Sequence, residues 1–74
     1  MKGKILRTLG GKGFGFIKGE DEKDYFFHRS DFHGFFEDLV KDVDSGRSVE
    51  VNFHSVPSDK GLRAGEVTRV DGGA

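Results

Sequence analysis

The sequence has no cysteine, a single proline and no long apolar run among its 74 residues. The lack of cysteine excludes disulfide bonds and thiolate metal sites as sources of stability. Without a long apolar run, we expect neither a signal peptide nor a membrane span, and therefore a cytoplasmic protein with no membrane partner. A chain of this length has room for one domain, whose small core typically supplies only about 3–5 kcal/mol of net stability.

Charge is unevenly distributed along the chain, although the formal net charge is only −1. Residues 1–18 carry five cationic side chains and no acid, residues 19–50 carry ten acids and four cations, and residues 51–74 carry three of each. We therefore expect a basic surface contributed by the first third of the chain. The acids of the middle segment either keep turns soluble or take part in an interface.

Short β-branched and aromatic runs alternate with polar clusters, a pattern typical of an all-β protein. Twelve glycines and one proline supply the turns. We predict five strands, at about residues 2–8, 12–18, 24–29, 48–55 and 63–70. Residues 57–61 connect the last two strands. We expect the polar tail, residues 71–74, to fray, so that the domain covers residues 1–70.

The segment between the third and fourth strands breaks this alternation. Its apolar residues recur at helical spacing, at Phe32, Phe35, Phe36, Leu39, Val40 and Val43. We predict one or two helical turns here, capped by Ser30 or Asp31 and followed by Gly46. Five strands with one helical connection after the third predict a five-stranded antiparallel OB-type barrel, a fold that commonly binds oligonucleotides on its second and third strands.

Aromatic side chains occupy both faces of the second and third strands. Successive side chains of a strand point to opposite faces, so Phe14 and Phe16 lie opposite Ile17. In the third strand, the same alternation places Tyr25 and Phe27 on one face. The barrel interior has space for only one aromatic face, which we assign to Ile17, Tyr25 and Phe27. Four rings then remain outside, those of Phe14, Phe16, Phe26 and His28.

Three exposed phenylalanines on neighbouring strands reduce solubility unless a partner with flat π-faces covers them. Nucleobases fit this requirement, because each stacked base contributes about 1–3 kcal/mol with little dependence on sequence. Gly13 and Gly15 leave the strand surface open to such bases. If Phe14 and Phe16 point inward instead, two ring-bearing residues of the third strand still remain outside.

Two motifs on these strands resemble the paired RNA-binding motifs of the cold-shock domain family. They are Lys-Gly-Phe-Gly-Phe-Ile at residues 12–17 and Asp-Tyr-Phe-Phe-His at residues 24–28. Residues 43–49 are similar to the family's approach to its fourth strand, and residues 60–67 are similar to its last loop and strand. The resemblance to bacterial cold shock proteins therefore covers nearly the whole chain.

The resemblance implies base stacking or phosphate pairing at Lys12, Phe14, Phe16, Phe26 and His28. It also implies a polar contact from Asp24 and a cation near the last loop from Lys60. The chain departs from the family where Arg7 and Thr8 replace a Trp-Phe pair and where Arg29 replaces a phenylalanine. Since a guanidinium plane stacks on bases and also neutralises phosphate, we expect fewer aromatic stacks and a steeper salt dependence.

The predicted nucleic-acid-binding residues are Arg7, Lys12, Phe14, Phe16, Asp24, Phe26, His28, Arg29, Lys60 and Arg63. The loop after the third strand adds two further aromatic residues, Phe35 and Phe36. Either Phe35 or Phe36 replaces the aromatic residue that the family has in this loop, or the two residues belong to the core. Their helical spacing favours the core.

The residue pattern does not support catalysis or metal binding. His28, Ser30 and Asp31 lie within four consecutive positions and cannot easily converge as a hydrolase triad. The three histidines lack metal-ligand spacing. We expect no catalytic residue, metal, cofactor or small-molecule substrate, and a monomer that binds single-stranded RNA or DNA as a nucleic-acid chaperone. The alternative is a protein-interaction module that uses the phenylalanine-rich face.

Overall fold

The computed structural model of this protein describes residues 1–59 and 61–70. Its five strands are β1 (Lys2–Leu9), β2 (Phe14–Gly19), β3 (Asp24–His28), β4 (Glu50–Val56) and β5 (Arg63–Arg69). They form a closed barrel in the order β1-β2-β3-β5-β4, which confirms the predicted OB-type barrel. The tail that we expected to fray, residues 71–74, lies outside the described residues.

The barrel is antiparallel except where it closes. Antiparallel pairing joins β1 to both β2 and β4, β2 to β3, and β4 to β5. The closing strands β3 and β5 run parallel and meet at the pair Phe26–Arg63. The Phe26 amide donates a hydrogen bond to the Leu62 carbonyl at 3.0 Å. The closure is therefore narrow, and it lies beside the outward-facing residues of β3.

The interior of the barrel holds one compact apolar cluster. Its buried members are Ile17, Tyr25, Phe27, Phe32, Leu39, Val49, Val51, Phe53, Ala64 and Val67. The three residues that we assigned to the interior from β2 and β3 are all in this cluster, which confirms the predicted orientation of both strands.

One extra residue interrupts the pairing of β1 with β2. Ile5 pairs with Ile17 and Arg7 pairs with Phe16, so Leu6 forms a β-bulge with 49% of its surface exposed. Ile5 packs against the core. In a regular strand Arg7 would face the interior like Ile5, because the side-chain repeat is two residues. The bulge instead turns Arg7 to the outside, beside Phe16.

Between β3 and β4 the chain forms a 3₁₀ turn, Arg29–Asp31, and then helix α1, Phe36–Asp44. The nine residues of α1 make about 2.5 turns, slightly more than the one or two turns that we predicted. Leu39 is fully buried, and Phe36 and Val43 pack against the core. No helix within residues 1–59 and 61–70 has the length and apolar character needed to cross a bilayer.

The start of α1 differs from the prediction. Its N-cap residue is Phe35, which makes no side-chain cap hydrogen bond and is 80% exposed. Asp31 and Ser30 instead belong to the preceding 3₁₀ turn, where Asp31 accepts a hydrogen bond from the His28 amide at 3.0 Å. The cap prediction was wrong because the apolar repeat begins at Phe32, which is buried ahead of the helix.

The strand boundaries fall within two residues of those predicted. β2 begins at Phe14 rather than at residue 12, because the Lys12 amide closes the preceding turn by donating to the Leu9 carbonyl at 2.9 Å. β4 begins at Glu50 rather than at residue 48. Gly46 follows α1 as predicted, in the left-handed region with a φ of 83°.

The close approach at Gly15 gives a stability prediction. A Cβ added at Gly15 would lie 2.8 Å from Cε1 of Phe27 and 2.9 Å from the Arg7 carbonyl oxygen. We expect Gly15→Ala to lower the free energy of unfolding by about 1–3 kcal/mol, measured by urea denaturation with circular dichroism. In the control Gly11→Ala, the added Cβ meets no described atom within 4 Å, and the change should stay below about 0.5 kcal/mol. Equal stability of the two variants would contradict the prediction.

A hydrogen bond from Tyr25 makes the stability depend on pH. The Tyr25 hydroxyl donates to Oδ2 of Asp21 at 2.7 Å, and this bond is the main cause that lowers the pKa of Asp21 from its ordinary value of 3.8. The stabilisation of the folded state by this hydrogen bond is therefore present above pH 3.8. It is lost as the pH falls through the lowered pKa of Asp21. Urea denaturation should show that the stability difference between wild type and Tyr25→Phe shrinks on acidification. In an Asp21→Asn background the difference should not vary over this pH range.

Candidate nucleic-acid interface

Three phenylalanine rings cluster with a histidine on the outer face of β2 and β3. Phe16 pairs with Phe26 across the two strands, and Phe14 pairs with His28. Ring centroids lie 6.0 Å apart for Phe14 and Phe16, 5.4 Å for Phe14 and Phe26, and 6.2 Å for Phe16 and Phe26. All four side chains are half-buried. We call these four residues the aromatic platform, and each lies on the face where strand alternation predicted it.

The core explains why these rings lie outside. Gly15 pairs with Phe27 across β2 and β3, and the missing side chain at Gly15 allows the Phe27 ring to pack against the strand. Ile17 is fully buried next to it and pairs with Tyr25. Because these side chains occupy the interior, the intervening residues of both strands face the solvent.

His28 is held in one orientation at the end of β3. The Ser30 amide donates to His28 Nδ1 at 3.1 Å, and the Ser30 hydroxyl oxygen lies 2.9 Å from the same nitrogen. A backbone amide can only donate, so Nδ1 is the acceptor and the neutral ring carries its proton on Nε2. The platform therefore includes one fixed N–H donor beside its three rings.

Arg7 adds a cation to the β1 side of the platform. Its guanidinium carbon lies 5.2 Å from the centre of the Phe16 ring, within the range of a cation–π interaction. Thr8 pairs with Gly15 and faces inward. Of the two residues that the resemblance places at an aromatic pair, only Arg7 therefore reaches the platform.

Arg29 lies beside the start of β2, on the other side of Phe14 from Arg7. Its amide donates to the Gly13 carbonyl at 2.8 Å, and its Cδ lies 3.2 Å from the position that a Cβ of Gly13 would take. Gly13 has a φ of 72°, which favours glycine. Lys12 is exposed in the same turn. Cations are thus present both beside Phe16 and beyond Phe14.

Asp24 is the first residue of β3 and forms an ion pair. Its carboxylate is 3.3 Å from Nζ of Lys18, the residue opposite it on β2. Both side chains are largely exposed, so the pair contributes little stability. Lys18 was not among the predicted site residues, although the alternation that placed Phe16 outside also places Lys18 on the same face.

Arg63 reaches the edge of the platform, where its charge is already partnered. Its Nε and Nη2 atoms donate to the two carboxylate oxygens of Asp31 at 3.0 and 3.1 Å. Asp31 also accepts from the His28 amide, so it joins β3 to β5. Sequence reasoning assigned Asp31 only to a helix cap. The spacing of three residues between His28 and Asp31, typical of a capping box, is the signal that marks this role.

Eight of the ten predicted residues lie on or beside the outer face of β1, β2 and β3, and Arg63 lies at its β5 edge. The tenth, Lys60, lies outside the described residues. Phe36 contacts the core ring of Phe27, with centroids 6.1 Å apart, whereas Phe35 is exposed. No group of three histidine, aspartate or glutamate side chains within residues 1–59 and 61–70 is arranged to hold a metal ion.

Comparison with known proteins agrees with this geometry. The profile of the 'cold-shock' DNA-binding domain matches residues 1–70. Cold shock protein CspA of Staphylococcus haemolyticus (strain JCSC1435) is 41% identical over 59 residues, 80% of this chain and 82% of its own length. Cold shock-like protein CspD of Bacillus cereus is 39% identical over 67 residues, 90% and 94% of the two chains. This chain therefore belongs to the cold-shock domain family.

Proposed function

We propose that this protein binds single-stranded RNA or DNA by stacking bases on the aromatic platform, with low overall sequence specificity. It acts in the cytoplasm as a monomeric nucleic-acid chaperone and catalyses no reaction. The observation that carries the proposal is the cluster of three half-buried phenylalanine rings on one sheet face, bordered by Arg7 and Arg29. Such a cluster adds nothing to the core and is unfavourable in water unless a ligand covers it.

The orientations of the rings suit bases rather than one another. The ring planes are inclined by 86°, 46° and 65°, so none of the three pairs is stacked face to face. A base that stacks on one ring therefore replaces water instead of another side chain. Each such stack contributes about 1–3 kcal/mol, and it tolerates any base because every base has a π-face.

The polar residues around the platform complement the phosphates and the base edges of a single strand. In this proposal, Lys12, Arg7 and Arg29 neutralise phosphates. His28 contributes its Nε2–H group to a base or sugar, and Asp24 accepts a hydrogen bond from a base when it releases Lys18. The proposal also retains Lys60 and Arg63 as contacts at the β4–β5 side.

Linkage explains how binding alone opens nucleic-acid structure. A protein that binds only the unpaired strand shifts the pairing equilibrium by RT ln(1 + [protein]/Kd) for each site. No nucleotide hydrolysis is needed, and the effect grows with protein concentration. A short single-stranded site on a small barrel is sufficient for this function.

Removal of one platform ring tests the proposal. We expect Phe14→Ala to weaken binding of an oligo-dT heptamer by about fivefold to 100-fold, the loss of one base stack, in a fluorescence anisotropy titration. Phe35→Ala is the matched control, because it removes an equally large and more exposed ring that lines a different pocket, with His33 and Thr68. It should leave the affinity within about twofold of wild type.

The same variants test chaperone activity. Wild type and Phe35→Ala should lower the melting temperature of a DNA hairpin as protein is added, and Phe14→Ala should do so only at higher concentration. Equal losses in both variants would place the binding surface elsewhere. Failure of the wild-type protein to bind the heptamer at low salt would reject the proposal.

The salt dependence of binding tests the role of Arg29. Each phosphate contact to a single strand contributes a slope of about −0.7 to the plot of log K against log salt concentration. We expect Arg29→Gln to reduce the slope by about this amount. Arg47→Gln is the control, since it removes an equal charge from a residue that pairs with Asp42 of α1. A slope that Arg29→Gln leaves unchanged would remove Arg29 from the site.

A further inference from the structure

A pocket of about 600 Å³ borders the aromatic platform where β3 meets β5. It is lined by Phe26, Pro57, Ser58, Asp59 and Arg63. Phe26 and Arg63 form the parallel contact that closes the barrel, so the pocket extends the platform towards the loop between β4 and β5. Its size falls within the range of small-molecule sites.

The pocket combines one aromatic surface with a polar wall. Phe26 belongs to the platform and also lines this pocket, together with residues of the loop between β4 and β5. Asp59 is exposed in that loop, and its carboxylate can only accept hydrogen bonds. A base in the pocket therefore gains most when it presents donors to Asp59.

Arg63 provides the opposite polarity in the same pocket. Asp31 binds its Nε and Nη2 atoms, which holds the guanidinium in place and leaves Nη1 as the nitrogen that Asp31 does not use. The Arg63 side chain is 38% exposed, so part of it is accessible to a ligand. The pocket thus offers one fixed donor and one acceptor-only carboxylate.

Guanine matches this arrangement better than the other bases. Its N1–H and N2–H groups are adjacent donors that fit the two oxygens of a carboxylate, and its O6 and N7 atoms are acceptors for arginine. Adenine and cytosine each present a single amino group. The N–H group of thymine or uracil lies between two carbonyl oxygens, which a carboxylate repels.

We propose that this pocket selects a guanine base in the bound strand, with the Asp59 carboxylate accepting hydrogen bonds from guanine N1–H and N2–H. This inference rests on the proposed single-strand binding and adds a base preference at one position of an otherwise tolerant site. Arg63 donates from Nη1 to O6 of the same base. Since one bidentate contact discriminates between bases by at least about fivefold, the preference is measurable.

The test compares three labelled heptanucleotides in anisotropy titrations of the full chain. One is oligo-dT, the second carries a single central guanine, and the third carries hypoxanthine there, which lacks the N2 amino group. Wild type should bind the guanine strand at least about fivefold more tightly than oligo-dT, with the hypoxanthine strand between them. The ratio of affinities is the readout, because it cancels any uniform change in binding.

Variants assign the preference to the carboxylate. Asp59→Asn presents an amide donor to the guanine donors and should reduce the guanine-to-thymine ratio to below about twofold. Asp44→Asn removes the same charge from an exposed residue of α1 and should leave the ratio unchanged. Since Asp59 is exposed in a loop, its substitution should leave the circular dichroism spectrum and the urea midpoint unaltered.

The outcomes separate this inference from the proposed function. If wild type binds none of the three strands, single-strand binding itself is refuted and the base preference with it. If wild type binds oligo-dT and the guanine strand equally, only the pocket assignment is overturned. A guanine preference that survives Asp59→Asn would likewise overturn it.

Discussion

The packing of Phe27 against the backbone at Gly15 determines which side of the β2–β3 hairpin faces the solvent. The ring lies so close to Gly15 that even a methyl group there would collide with it. With Phe27, Ile17 and Tyr25 filling the interior, the rings at the alternating positions of the two strands have no place inside. The surface that we propose for nucleic acid is therefore a consequence of how the core is filled. Core packing and the proposed binding thus depend on adjacent residues of the same strands.

Features that follow from local periodicity could be predicted from the sequence. The two-residue repeat of β2 and β3 identified the outward rings, and the helical spacing around Leu39 identified α1. Features that depend on distant residues could not. The bulge at Leu6 requires knowledge of the register between β1 and β2. The ion pair between Asp31 and Arg63 joins residues 32 positions apart, and no local pattern links them.

Two acids of the middle segment, Asp31 and Asp42, form ion pairs with arginines of the last strand. Asp31 binds Arg63 across the barrel closure, and Asp42 of α1 pairs with Arg69 of β5 at 2.8 Å. These pairs attach the segment between β3 and β4 to the last strand. Two cations of the last third are thereby neutralised by acids of the middle third. The first third, with Arg7 and Lys12, accordingly contributes much of the positive charge beside the platform.

The bulge at Leu6 makes the length of β1 as important as its composition. One residue more or fewer between Gly3 and Thr8 reverses the side on which every subsequent residue of the strand emerges. A strand of the same composition without the extra residue at Leu6 therefore presents a different side chain next to Phe16. A change in the length of this short strand thus changes the surface beside the platform, even where the flanking residues are identical.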